Sequence, residues 1–419
     1  MKFFKDMYAF MLAGGRAQAK WEIDISNSVL HSRKMMAVLG LLLLPVVIGG
    51  IAFASDFLGG KTAYSPSFYS PIVFFASMFV GLAAGLITGC IGAGGGFIIA
   101  PALMSVGVKG ILAVGTDLFH IFAKAIMGSV LHRKLGNVCV PLALVFLIGS
   151  IAGATFGGWL NRTIYEANPI LSDLFITTIY TFILAFLAFY AILDFVSARK
   201  GADTGGHGGG KGKLAEEIPP LGKKLQAVNL PPMVSFDEGV TPGGRRLSFV
   251  FIVICGAVVG LAASIMGVGG GFLTFPAFVY VLGVSSMTTV GTDIFQIVFT
   301  AGYAAIGQYA VYGFIFYTLA MGMLLGSLIG VQIGALVTKL VPGVYIRGFF
   351  ALAVTAGFIN RFTAMPSKLR QMEYLSWTKE MTTNIENVGV AMFFTVMGVF
   401  TVWVIGTFIA RAKTLKVKS

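Results

Sequence analysis

The sequence predicts an all-α polytopic membrane protein, built from two inverted-topology repeats with broken, glycine-loop-containing helices. Three observations predict it. Of the 419 residues, 57% are hydrophobic and only 11% charged, less than half the charged share of a soluble globular chain, about 25%. The apolar runs are about 20 residues long, the length of a spanning helix, whereas a β-barrel would alternate over about 10 residues. Blocks of the first half recur in order in the second. The 55 glycines follow no three-residue period, which excludes collagen.

The elements follow in order. A tail at 1–34 carries more basic than acidic residues and is expected in the cytoplasm. The run 35–54 ends in Ala52-Phe53-Ala54, like a signal-peptide cleavage site, but 34 residues precede it. That is too long for a usual n-region, so 35–54 reads as an extra transmembrane helix. A first repeat spans 71–195, with apolar segments at 71–91, 97–107, 111–131, 139–160 and 173–195. The stretch 196–247 holds a glycine-rich run, two Pro-Pro pairs and eight Lys/Arg, and reads as a flexible cytoplasmic linker. A second repeat spans 248–362, with segments at 248–266, 271–283, 287–308, 313–338 and 344–362. An extra helix at 388–410 precedes a basic, cytoplasmic tail.

The internal repeat is the strongest signal. Gly85-Leu-Ile-Thr-Gly-Cys-Ile-Gly-Ala-Gly-Gly-Gly-Phe-Ile-Ile-Ala-Pro101 matches Gly260-Leu-Ala-Ala-Ser-Ile-Met-Gly-Val-Gly-Gly-Gly-Phe-Leu-Thr-Phe-Pro276 at an offset of 175. Val114-Gly-Thr-Asp-Leu-Phe119 matches Val290-Gly-Thr-Asp-Ile-Phe295 at 176, and Gly149-Ser-Ile-Ala-Gly153 matches Gly326-Ser-Leu-Ile-Gly330 at 177. His132-Arg133-Lys134 closes the first Thr-Asp segment, whereas Gln308 to Gly313 closes the second without charge. Under the positive-inside rule those two ends lie on opposite sides. If 97–107 and 271–283 cross as short segments, both termini and the linker are cytoplasmic; re-entry of those segments would change the parity. Arg361, Lys368, Arg370 and Lys379 then fall outside, against the rule, offset in part by three glutamates. Inverted repeats with Gly/Pro-interrupted segments at matching places mark a secondary transporter and its binding site.

Two constellations bear chemistry. The glycine loops Gly94, Gly95, Gly96 and Gly269, Gly270, Gly271 each open a short segment containing a proline. A half-helix N-terminus at membrane depth offers N–H groups and partial positive charge to an anion, and irregular backbone there belongs at a protein-lined cavity. The plainer reading is close packing through small residues. Asp117, His120 and Lys124 share one helical face by their spacing of three and four. Ionisable groups in an apolar span are costly and usually functional, here as a proton relay or a substrate cation with its counter-ion. The matching face holds Asp293, Gln296 and Thr300. The plainer reading makes both aspartates structural. Thr116 and Thr292 either donate to an anion oxygen or bond back to a helix carbonyl.

Several classes are excluded. No Gly-Lys-[Ser/Thr] follows the loops, so no nucleotide P-loop exists. Cys90, Cys139 and Cys255 are odd in number, form no CxxC and lie in or beside apolar runs, so neither a disulfide framework nor a metal site is expected. The net charge of +13 sits mostly in tails and loops without a nucleic-acid motif. No cofactor is expected, and no paired nucleophile and base supports an intramembrane enzyme.

The paired glycine loops, each followed by proline and then Gly-Thr-Asp, resemble the TauE/SafE sulfite-exporter family, also called the TSUP transporters. His132-Arg133-Lys134-Leu-Gly-Asn137 fits the same pattern, and the resemblance covers roughly 75–362. It implies transport of sulfite, sulfoacetate or other sulfonates, mostly outward and proton-coupled. The expected protein is an inner-membrane, multi-pass secondary transporter of a small oxyanion. The glycine loops, Thr116, Thr292 and Lys124 would hold substrate; Asp117, His120 and Asp293 would couple protons. The partners are the small anion, protons and the bilayer, with a homo-oligomer left open. A passive channel of the same fold, or a carrier of a non-sulfur organic anion, is the alternative.

Overall fold

The computed structural model describes residue 47 and residues 71–91, 95–134, 138–202, 219–237, 244–337, 341 and 343–415. The chain divides into units Met1–Ile48 and Gly49–Ser419. In the first unit only Val47 is described, in helical conformation; the tail at 1–34 and the rest of the 35–54 run lie outside the described residues.

The second unit runs α1 (Pro71–Ile91), α2 (Gly96–Ser105), α3 (Gly110–Lys134), α4 (Val140–Ala167) and α5 (Pro169–Ala202). Next come α6 (Pro220–Gln226), β1 (Met233–Phe236), β2 (Arg245–Ser248), α7 (Phe249–Met266) and α8 (Gly271–Pro276), which continues as a π-turn, Ala277–Leu282. Then follow α9 (Ser286–Tyr303), with a second π-stretch, Ala304–Ala310, and α10 (Tyr317–Val337), α11 (Gly343–Gln371) and α12 (Lys379–Leu415). Seven of the described helices are long and apolar enough to cross a membrane, and α2 and α8 with its π-turn are shorter apolar helices. The protein is an all-α polytopic membrane protein. In lipid, backbone groups must be satisfied within the segment, which helices achieve. Ser248 and Ser285 cap α7 and α9, accepting from Val250 N and Thr288 N at 3.3 and 3.4 Å.

The helices pair across the two halves. α1 packs on α10, and α4 on α7. Gly81 and Gly85 lie against the Met323 and Ser327 backbone; the corresponding Gly256 and Gly260 lie against Phe146 and Ser150. Gly326 and Gly330 meet Met78 and Leu82, just as Gly149 and Gly153 meet Val253 and Ala257. A Cβ at any of these would run into backbone, so glycine permits the approach. The two interfaces are thus copies of one another, each joining a helix of the first half to one of the second. The corresponding helices α3 and α9 pack antiparallel: Gly115 meets Tyr309, whereas Gly302 meets Phe122. The corresponding rings of Phe97 and Phe272 meet edge to face at 6.1 Å.

Two regions differ from the sequence reading. The flexible stretch expected at 196–247 does not extend to its described C-terminal part. β1 and β2 form an antiparallel hairpin with Met233 opposite Ser248. Val234, Phe236 and Leu247 bury themselves with Phe146, Ile252 and Phe278. Strands of four residues have too little alternation to stand out against a basic, proline-rich composition. The hairpin holds the turn after the π-turn: Asp237 accepts from Ser285 N and Oγ at 2.9 and 2.6 Å, and Arg245 Nη1 donates to Gly283 O at 2.8 Å. The second difference lies at 361–386, where α11 and α12 extend beyond their expected ends. Arg361 is buried, donating to Ser105 Oγ and Asn360 Oδ1 at 2.7 and 2.8 Å. Lys368 pairs with Asp173 at 3.2 Å. These two basic side chains are therefore matched by polar partners within the bundle.

Candidate functional site

Gly95 and Gly270 begin α2 and α8 with φ of 68° and 91°, the left-handed region that glycine enters without steric cost. They correspond across the repeat. Ile98 N donates to Gly95 O at 3.1 Å, and Leu273 N to Gly270 O at 2.8 Å. The amides of Gly96 and Phe97, and of Gly271 and Phe272, precede these first bonds in the turns where helical N–H groups lack intrahelical partners. The two caps meet: Gly96 packs on Val268 and Ile121, Gly269 on Ile121, and Gly271 on Ile297. Gly94 lies outside the described residues.

Thr116 and Thr292 each use an oxygen lone pair on a backbone N–H of the other half, which leaves the hydroxyl hydrogen to give. Thr116 Oγ1 accepts from Phe316 N at 2.9 Å, and Thr292 Oγ1 accepts from Cys139 N at 3.0 Å. Both are fully buried. Each ties its helix to the backbone just before a helix of the other half, α10 or α4.

The charged face of α3 is assembled as its spacing predicts. Asp117 and His120 are fully buried, with His120 Nδ1 at 3.6 Å from Asp117 Oδ1. His120 Nε2 lies 2.8 Å from Ser327 Oγ on α10. Lys124 Nζ donates to Thr88 Oγ1 at 3.2 Å, and the Thr88 hydroxyl lies directly against Gly95. The Thr88 hydroxyl gives its hydrogen to Ala84 O at 2.8 Å, so the ammonium and the first glycine cap stand on either side of one hydroxyl. An ammonium beside a helix N-terminus is a pairing suited to an anion.

The second half makes a closed, hydrogen-bonded set instead. Gln296 Nε2 donates to Asp293 Oδ1 at 3.0 Å, Thr300 Oγ1 donates to Gln296 Oε1 at 2.7 Å, and Thr300 shares a 2.7 Å bond with Ser150 Oγ. Asp293 also stands beside Gly271 at the head of α8. Elsewhere in the second half Gln332 is exposed, while Gln308 accepts from Arg162 at 2.8 Å and donates to Tyr303 at 3.0 Å.

Sequence reasoning missed Ser150 and Ser327, the hydroxyls that meet these faces from the opposite half. Both sit inside the Gly-Ser repeat block at matching positions, a signal available in the sequence. Thr88 and Tyr180 were also missed. Tyr180 donates to Met266 O at the end of α7, just before the second loop, and has no motif of its own.

A model of the sulfite exporter TauE/SafE family matches residues 77–361, from within α1 to within α11. The chain belongs to the TauE/SafE sulfite-exporter family. A TauE/SafE member is a multi-pass membrane transporter, not an enzyme. Similar curated proteins include the probable membrane transporter proteins YjnA, YunE and YdhB of Bacillus subtilis (strain 168). YjnA is 27% identical over 61% of this chain and 87% of its own length. YunE is 23% identical over 62% of this chain and 86% of its own length, and YdhB 24% identical over 66% and 96%. No solved structure matches. The family match takes in both glycine caps and both Thr-Asp helices, and leaves α12 outside.

Proposed function

We propose that the protein is a proton-coupled secondary transporter that exports a small sulfur-containing oxyanion, sulfite or an organosulfonate, across the inner membrane, with both termini cytoplasmic. The observation that carries this reading is the closeness of the Lys124 ammonium to the Gly95 cap, with only the Thr88 hydroxyl between them. Within this reading, the loops at Gly94–Gly96 and Gly269–Gly271 and Lys124 receive the anion. Thr116 and Thr292 brace the two loop-bearing halves beside it. Asp117 and His120 carry the coupling proton, and Asp293, held by Gln296, serves as the static counterpart.

The antiparallel contact of α3 with α9 and the copied α1–α10 and α4–α7 interfaces support inverted repeats that rock about a central site. Flux of radiolabelled sulfite in proteoliposomes, with and without an imposed proton gradient, tests the reading. Uphill, gradient-dependent flux is expected. Downhill flux that ignores the gradient would instead mean a channel. Silence with sulfite and sulfonates alike would refute a sulfur oxyanion as the substrate.

A further inference from the structure

The surroundings of Asp117 and His120 supply too few hydrogens for their acceptors. Ser327 Oγ donates to Leu324 O at 3.1 Å. A hydroxyl has one hydrogen to give; with that hydrogen on Leu324 O, the Ser327 oxygen accepts from His120 Nε2, 2.8 Å away. Nε2 then carries the ring hydrogen and Nδ1 presents a lone pair. That lone pair faces Asp117 Oδ1 across 3.6 Å. Neither Nδ1 nor either carboxylate oxygen has a hydrogen-bond partner among the described residues. Orphaned acceptors at full burial are costly, and a single hydrogen placed between these two would satisfy both after a small closure.

Other elements do not supply that hydrogen. From α5, Tyr180 stands within electrostatic reach of Asp117 and in turn feels Arg361 of α11, but its hydroxyl donates to Met266 O. From α2, the Ala100 backbone comes near Asp117, at a geometry that leaves both carboxylate oxygens without a hydrogen bond. Lys124, on the same helix, acts on both groups through its charge.

We propose that Asp117 and His120 hold one proton between them, and that Ser327, reaching in from the opposite half, is the positioning residue that turns Nδ1 toward the carboxylate. This rests on the proton-coupled reading above and deepens it. The proton comes from hydronium, whose O–H bond breaks and leaves water as an O–H bond forms at Asp117 Oδ1, which then donates to His120 Nδ1. With the proton bound, the pair is neutral and the three residues with Lys124 carry +1. With the proton released, they sum to zero. Proton and anion therefore strengthen each other's binding, a coupling that is reciprocal by linkage.

The test uses the full chain in lipid nanodiscs. His31, His132 and His207 are replaced by Gln and the protein is labelled with ¹⁵N-histidine. The imidazole spectrum should show hydrogen on Nε2 and an acceptor Nδ1. Ser327→Ala should mix the tautomers, and Ser327→Thr should restore one. A ring hydrogen on Nδ1 facing Asp117, with Ser327 intact, would overturn the proposal. In weak buffer, adding methanesulfonate, which stays ionised, should draw protons from solution with wild-type protein and none with Asp117→Asn. Binding without proton uptake in the wild type would also overturn it. If no sulfonate binds, the substrate reading fails, while the tautomer measurement still decides the proton site.

Discussion

Asp237 holds Ser285 much as Asp173 holds Gly110. Ser285 N donates to Asp237 Oδ2 at 2.9 Å, and Gly110 N donates to Asp173 Oδ1 at 2.7 Å. Each carboxylate also meets a cation, Arg245 at 3.5 Å or Lys368 at 3.2 Å. The heads of α9 and α3 are thus secured alike, one by the hairpin and the other by α5 and α11. Asp237→Ala strands the buried Ser285 amide, at a cost of about 1–3 kcal/mol, while the Ser285 hydroxyl keeps Thr288 as its partner. Thermal unfolding in detergent should show a clear loss of stability. Asp173, whose side chain is 15% exposed, should cost less when replaced, because water can reach the group left behind.

The glycine interfaces predict matched sensitivity. Gly85→Val and Gly260→Val each force backbone apart, α1 from α10 and α7 from α4. Overpacking of this kind costs about 1–3 kcal/mol or more. Yield and thermal midpoint should fall by similar amounts in the two variants. Gly398 of α12 has nothing within 4 Å of where a Cβ would stand, so Gly398→Ala should leave both unchanged or improve them. Unequal losses at Gly85 and Gly260 would contradict the equivalence of the interfaces.

The paired threonines predict a stability effect that is separable from transport. Thr116→Val removes the acceptor for Phe316 N, and Thr292→Val the acceptor for Cys139 N. Each should cost about 1–3 kcal/mol, whereas Thr→Ser keeps the oxygen and most of the stability. A Thr→Val protein with an unchanged unfolding midpoint would show that these bonds bear little of the fold.

Transport kinetics should separate charge from coupling. Lys124→Gln removes a charge-assisted contact worth about 1.5–3 kcal/mol, so KM for the anion should rise by about tenfold or more. Addition of salt should not reproduce that change, since the group lies deep in the bundle.

The two aspartates should behave differently. Asp117→Asn should abolish flux driven by a proton gradient while sparing anion binding. Asp293→Asn, with Gln296 still beside it, should retain the gradient dependence. Retained pH-driven transport in Asp117→Asn would refute the proton assignment.

Much of the fold was legible because duplication leaves the same residues at a fixed offset. The glycine caps, the Thr-Asp helices and the charged face of α3 all follow from local pattern. The cross-pairing of α1 with α10 and of α4 with α7 was not legible, because periodicity shows which helix face is small but not which helix covers it. Thr116 was read from its own helix, whereas its partner Phe316 is 200 residues away. Ser327 lies in a matched glycine block, and only the packing of α10 brings it to His120. The hairpin escaped notice because its burial depends on Phe146 and Phe278, residues far from it in the chain.

The copied interfaces also constrain how the chain is made. When the first half leaves the ribosome, the small-residue faces of α1 and α4 have no cover, because their partners α10 and α7 are not yet synthesised. Assembly in the bilayer therefore begins with α4 and α7 and closes late, when α10 arrives to meet α1. A gene cut between residues 203 and 218 should yield two fragments that are degraded when made singly and that complement each other when made together.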